Sequence, residues 1–398
     1  MTPVAAPSLS ALDIACGLVF DRRPARRPRR LPVSGASPQQ ALSDTVLPAL
    51  LRAPCLVSFS GGRDSSLVLA VATRVARQEG LADPIPVTNR FADAPAADES
   101  RWQEQVVEHL RLADWQRLRF SDELDAVGPY AQRMLRAHGL LWPFNVHFHL
   151  PLLDLARGGS LLTGLGGDQL FGVIGPEPRR TRARQAVHSA LGYAPRAARA
   201  AVIASRRPLD APWMLPAGNR AATQAMAAEL GAEPRGALGA RMAHQLSMRY
   251  LRVTQESLEL CAGAGDVLLG NPLCAPALWG AVAQACSARN GRLDHERALR
   301  ELFPGWLPEA LVARGEKASF DEVFINSHAR AFARDWDGTG VPSDLVDVGA
   351  LGDHWRSEAP SCLSLTLMQA AWLRPAQLDD RPVGTRRLLL RIDRNRVL

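Results

Sequence analysis

The sequence predicts an α/β protein, a doubly wound parallel sheet with a largely helical C-terminal elaboration. Three observations lead there. Short apolar runs alternate with helical patterns between Cys55 and Thr163, two of those runs end in glycine-rich loops, and beyond about residue 175 the pattern becomes mainly helical. Strands separated by helices are joined by crossovers, which sets them parallel and puts helices on both faces of the sheet.

Residues 1–45 are rich in Pro, Arg, Ser and Ala with little sustained periodicity, and are expected to form an extension or small accessory element ahead of one domain spanning 46–398. Cys55 to Phe59 is a short apolar run closed by Ser-Gly-Gly, and Leu67, Val68, Ala70, Val71 and Val75 then recur at helical spacing, so the reading is strand, turn, helix. A strand follows near Ile85 to Phe91, then a helix over about 98–112, a strand from Gln116 to Phe120, and helical segments near 122–137 and 144–157. A last short strand, Ser160 to Thr163, runs into Gly164-Leu165-Gly166-Gly167-Asp168. Ala- and Leu-rich helices are expected near 219–230, 236–262 and 276–288, packed on the same sheet.

At 398 residues and 47% hydrophobic, the chain can bury one large core or two modest ones. No run approaches the roughly 18 apolar residues of a membrane span, and the N-terminus lacks the order of a signal peptide, so a cytoplasmic protein is expected. The six cysteines form no CxxC pair and have no histidine at zinc spacing, which argues against a disulfide framework and a structural metal. The net charge of +7 is carried by Arg in an Ala-, Pro- and Gly-rich chain, a composition that a GC-rich genome produces without any nucleic-acid partner. The run Arg22 to Arg30, broken by two prolines, reads as a solvated tail, and Arg179 to Arg184 as a better candidate for touching an anionic substrate. Among 47 basic residues Lys317 is the only lysine. Its retention against that bias points to a need for a compact ammonium instead of a planar guanidinium fork.

The richest string is Ser58-Phe59-Ser60-Gly61-Gly62-Arg63-Asp64-Ser65-Ser66, at a strand-to-helix junction. Two glycines let the backbone turn tightly and aim N–H groups at an anion, the helix N-terminus adds its positive dipole end, and the hydroxyls of Ser60, Ser65 and Ser66 can donate to phosphate oxygens. Asp64 belongs in a phosphate cradle only if a divalent cation lies between carboxylate and phosphate, as Mg²⁺ prefers. The string is not the GxxxxGK[ST] loop of enzymes that cleave the terminal phosphate. The second loop, Leu161 to Gly172, follows a strand about 100 residues later, which would put Asp168 across one crevice from Asp64 and let both hold the metal.

The first string resembles the SGGxDS loop of the ATP pyrophosphatase family, which holds the pyrophosphate part of ATP. Thr163-Gly164-Leu165-Gly166-Gly167-Asp168-Gln169-Leu170-Phe171-Gly172 is similar to the SGxGxDELFGG loop of asparagine synthetases, and Leu307-Pro308-Glu309-Ala310-Leu311 with Arg314, Lys317 and Phe320 resembles their LPxxIL...R..K..F segment. Weaker likenesses are Asn271-Pro272-Leu273 to the VPFLD segment and Asp98-Glu99 to the acidic pair after the second strand. The resemblance covers about residues 50–330 and extends toward Leu373. It implies a ligase that uses ATP and Mg²⁺ to adenylate a carboxylate, releases pyrophosphate and forms an amide. Ser58, Ser60, Gly61, Gly62, Ser65, Ser66, Gly166 and Gly167 would hold the nucleotide, Asp64 and Asp168 the metal, and Lys317 the charge of the adenylate or of the tetrahedral intermediate.

Two departures matter. Asparagine synthetases carry Glu, and β-lactam synthetases Tyr, where this chain has Leu165, which can neither accept a proton nor orient an amine. The base then comes from Glu99, His147 or His149, or proximity of a tethered amine suffices. No glutamine-hydrolysing domain fits ahead of Ser60, and residue 2 is Thr, so the chain is not expected to release its own ammonia. The expected substrate carries both carboxylate and amine, as with β-lactam synthetases and lasso-peptide macrolactam cyclases, with a partner biosynthetic protein possible at the Arg-rich N-terminus. A ligase using free or separately supplied ammonia, and a non-catalytic ATP-binding scaffold, are the alternatives.

Overall fold

The computed structural model describes residues 7–21, 30–33, 35–175, 195–234, 236–288, 293–315 and 318–379. Five parallel strands, β1 (Cys55–Ser58), β2 (Ile85–Phe91), β3 (Gln116–Phe120), β4 (Ser160–Leu162) and β5 (Leu268–Gly270), lie in the order β3-β2-β1-β4-β5. The order runs outward in both directions from β1, so the sheet is doubly wound as the sequence predicts, and its switch point falls between β1 and β4. Paired registers such as Leu56 with Ile85 and Val57 with Leu162 make β1 the central strand.

Alternation along those short strands builds two cores. Cys55, Val57 and Leu162 point to one face, where they meet α2 (Pro38–Leu50), α3 (Arg63–Gln78), α7 (Gly167–Ile174) and the Pro276–Ala288 helix. Leu56, Val87 and Leu161 point to the other, against α5 (Pro129–His138), α6 (Leu150–Leu155) and the Arg249–Gly263 helix. The remaining labels are α1 (Ala11–Cys16) and α4 (Ser100–Leu110).

Three expectations change. The 236–262 helix is two helices, Leu238–Leu246 and Arg249–Gly263, broken at Ser247. The elaboration is only partly packed on the sheet, since Trp213, Ala222, Ala329, Leu351, Trp355 and Met368 build a further apolar cluster of their own with Ala15, Cys16 and Phe20. The boundary expected at 45/46 falls inside α2, which is buried through Leu42, Val46 and Ala49. Among the described residues no helix is long and apolar enough to cross a membrane.

Candidate active site

Both helices that begin at the switch point start on glycine. Gly62 caps α3 and Gly166 caps α7, neither contributing a side-chain hydrogen bond, so the first-turn N–H groups of two helices face one crevice without a side-chain cap. The helices abut there. A Cβ on Gly164 would lie 2.9 Å from the Ser65 backbone nitrogen, and one on Gly167 would lie 2.1 Å from Asp64 Cγ and 2.4 and 2.5 Å from the two carboxylate oxygens. Only a residue without a side chain lets the second loop touch the Asp64 carboxylate. Gly61 has φ +87°, where L residues are strained, and a Cβ there would meet Gln103 Cγ at 2.8 Å.

The serines order the first loop. Ser65 Oγ accepts from the Ser60 N–H at 3.2 Å and lies 3.0 Å from Ser60 Oγ, while Ser60 Oγ accepts from the Gly62 N–H at 3.2 Å. Gln103 of α4 donates to the Ser60 carbonyl at 3.1 Å. Asp64 Oδ1, Ser66 Oγ and Arg63 Nε are buried within the same turn with no aligned hydrogen-bond partner among the described residues. Buried polar atoms of this kind carry a desolvation penalty that a ligand or cation would relieve. The donor set, hydroxyls and uncapped N–H groups beside carboxylates, fits a phosphate with a hard divalent cation. Asp168 sits exposed in the first turn of α7, one residue from the glycine that faces Asp64.

A third segment is stapled across this loop. Arg314 pairs through both guanidinium nitrogens with the two oxygens of Glu99, Nη2 at 2.6 Å, donates from Nη1 to the Gly61 carbonyl at 3.2 Å, and lies over the Trp102 ring at 4.9 Å. The Ala318 N–H donates to Glu99 at 3.1 Å, and Arg63 donates back to the Arg314 carbonyl. Burial lowers the Arg63 pKa, opposed by Glu296 and Asp64. Lys317 lies outside the described residues, as does the Arg179 to Arg184 stretch. Its flanks, Arg314 and Ala318, are both anchored on Glu99.

Two of the expected bases, Glu99 and His147, are otherwise engaged. Glu99, nearly buried, spends both oxygens on Arg314 and Ala318. His147 is buried between the carbonyls of Phe144 and Leu124, each at 3.0 Å, and burial pushes its pKa down to about 4. Burial does the same to His149. Leu165 donates its N–H to Thr163 Oγ1 at 3.2 Å, its carbonyl accepts from Cys274 Sγ at 3.2 Å, and its side chain joins the apolar cluster of Leu161 and Leu258.

Sequence reasoning missed His295 and named Asn271 only within a weaker likeness, without a role. His295 opens the His295–Leu302 helix with Nε2 3.2 Å from Asp64 Oδ1 and its ring stacked on Phe171 of α7, centroids 4.3 Å apart. Strand β5 places Asn271, whose Oδ1 accepts from Thr163 Oγ1 at 2.6 Å, and so fixes the stem of the second loop.

Fold and site together define a doubly wound α/β domain in which two glycine-started helices meet at the switch point of the sheet. A family model, asparagine synthase, matches residues 39–374, and the chain belongs to that family. No curated protein matches it. Members of the family are ATP-dependent ligases that form amides by way of an adenylate, releasing AMP and pyrophosphate, generally with Mg²⁺.

Proposed function

We propose that this chain adenylates a carboxylate with Mg²⁺ and ATP and then joins it to an amine carried by the same substrate, an amino-acid derivative or peptide of specialised metabolism. The observation that carries the reading is the contact between the two glycine-started helices, with the Asp64 carboxylate against Gly167. The N–H groups of the two first turns, with Ser60 and Ser65, bind the pyrophosphate portion, and Asp64 and Asp168 hold the metal. The metal, when bound, lowers the charge barrier to attack on the α-phosphorus.

A substrate carboxylate oxygen attacks that phosphorus as the bond to pyrophosphate breaks. The amine then attacks the acyl carbon, AMP leaves, and the amine loses a proton. With Leu165 turned into apolar packing and both Glu99 oxygens engaged, Glu99 serves as the anchor of Arg314, not as the proton acceptor. Proximity of a tethered amine carries the second step, since an intramolecular nucleophile enjoys a very high effective concentration. Lys317, on the segment anchored by Arg314 and Ala318, stabilises the negative charge of the adenylate or of the tetrahedral intermediate.

The test is product analysis with Mg²⁺, ATP and a panel of amino-acid and peptide carboxylates, using hydroxylamine as a surrogate amine. AMP, pyrophosphate and hydroxamate in equal amounts are expected, with Lys317→Arg slower by about a hundredfold. ADP and phosphate as products would overturn the assignment, and an unimpaired Lys317→Arg would remove the lysine from the site.

A further inference from the structure

We propose that His295 is a positioning residue of the nucleotide and metal site, holding the Asp64 carboxylate through an Nε2–H···Oδ1 contact. The inference rests on the reading above that Asp64 ligates a cation on the ATP phosphates. His295 Nε2 and Asp64 Oδ1 are 3.2 Å apart, and both are buried. Neither is aligned for a hydrogen bond with the other, and neither has another partner among the described residues. An orphaned donor facing an orphaned acceptor at this distance becomes an aligned bond after a small rotation of the carboxylate, the motion that a cation drawing on its other oxygen would impose.

The imidazole is held for this purpose from three sides. Its ring stacks on Phe171 at an interplanar angle of 15°, which fixes the plane of Nε2. Its helix is started by Asp294, whose carboxylate accepts from the Arg297 N–H at 2.8 Å. The preceding Leu293 N–H donates to the Ile174 carbonyl at the end of α7 at 3.1 Å. The histidine is thus tied to α7, the element that carries Gly167 and Asp168, at Phe171 and at the last residue, Ile174. Asp64 lies between Gly167, which leaves its carboxylate room, and His295, which gives it direction. Removing a residue that orients a ligating side chain typically costs about 10–100-fold in metal affinity.

The experiment is calorimetric binding of ATP to the full chain at a series of Mg²⁺ concentrations, for wild type, His295→Ala and His295→Gln, with thermal unfolding of each nucleotide-free protein. His295→Ala should need about tenfold or more Mg²⁺ for half-maximal ATP binding, the scale of lost second-layer support. His295→Gln, whose amide can donate to the same oxygen, should recover most of that loss. Phe171→Leu, which removes the stacking partner but keeps the donor, should fall between wild type and His295→Ala. An unchanged Mg²⁺ requirement in His295→Ala would overturn the proposal while leaving the assignment of Asp64 intact. Equal losses in the Ala and Gln variants, accompanied by lower unfolding temperatures, would also overturn it and leave His295 as packing on Phe171. A wild-type chain that binds no ATP at any Mg²⁺ concentration would overturn the nucleotide-site reading itself, and this proposal with it.

Discussion

At Gly167 one methyl group separates a structural role for the glycine from a functional one. A Cβ there would lie 2.1 Å from Asp64 Cγ, a distance no side chain tolerates, so Gly167→Ala must push the carboxylate out of the crevice. Gly172 lies in the same helix with open space where its Cβ would stand. Gly172→Ala should therefore stabilise α7 by about 0.5–1 kcal/mol, because it lowers the entropy of the unfolded chain without a clash. Gly167→Ala should instead weaken Mg²⁺-dependent ATP binding by about tenfold or more at an unfolding temperature near wild type. Calorimetry and thermal unfolding of the pair decide it, and equal ATP binding in both variants would show that the crevice does not use the Asp64 carboxylate.

Among the elements, the Arg314 staple distinguishes an anchoring Glu99 from a catalytic one. The Arg314 and Glu99 side chains are 6% and 8% exposed, so the pair is buried. Removing one partner of such a pair strands a buried charge at a cost of about 3–5 kcal/mol. Glu99→Gln should lower stability in chemical denaturation by an amount near that range, and the double change Glu99→Gln with Arg314→Met should restore much of it. If Glu99 were a general base, Glu99→Gln would abolish amide formation and leave stability untouched.

The same scale explains what was legible in the sequence. Strands β1 and β4 could be read because each is an apolar run ended by glycines, and β2 and β3 because their lengths and spacing fit crossovers. Strand β5 could not, since Leu268-Leu269-Gly270 runs into Asn271-Pro272 and not into a glycine-rich loop like the one that marks the end of β4. The paired glycine loops put both helix starts at one crevice, where the structure brings Gly167 against Asp64. His295 left no local signal, because its role depends on a helix 231 positions along the chain from Asp64 folding back onto α7.

For the whole molecule, the N-terminal residues test whether the chain is a catalytic body with an appendage or one cooperative unit. Helix α1 is short but firmly begun, with Ser10 and Asp13 exchanging hydrogen bonds in a capping box. Asp13, 1% exposed, also pairs with Arg249 at 2.9 Å. The buried Trp213 donates its indole N–H to the Ala15 carbonyl at 2.9 Å, and Trp142 donates to the Gly17 carbonyl at 3.1 Å. The Asp21 N–H donates to Glu229 at 2.6 Å, a carboxyl whose pKa burial raises. Ala15, Cys16 and Phe20 complete the apolar cluster that the C-terminal helices build. Deleting residues 1–21 would uncover that cluster and leave the Trp213 indole and the Arg249 guanidinium short of acceptors. Each buried group left unsatisfied costs about 1–3 kcal/mol, and a domain has only about 5–15 kcal/mol in total. The truncated chain should therefore unfold at least about 10 °C below the full chain or fail to fold, as read by circular dichroism. A true appendage would be lost without consequence, so a truncated protein with the unfolding temperature of the full chain would show that α1 contributes nothing to the unit that carries the site.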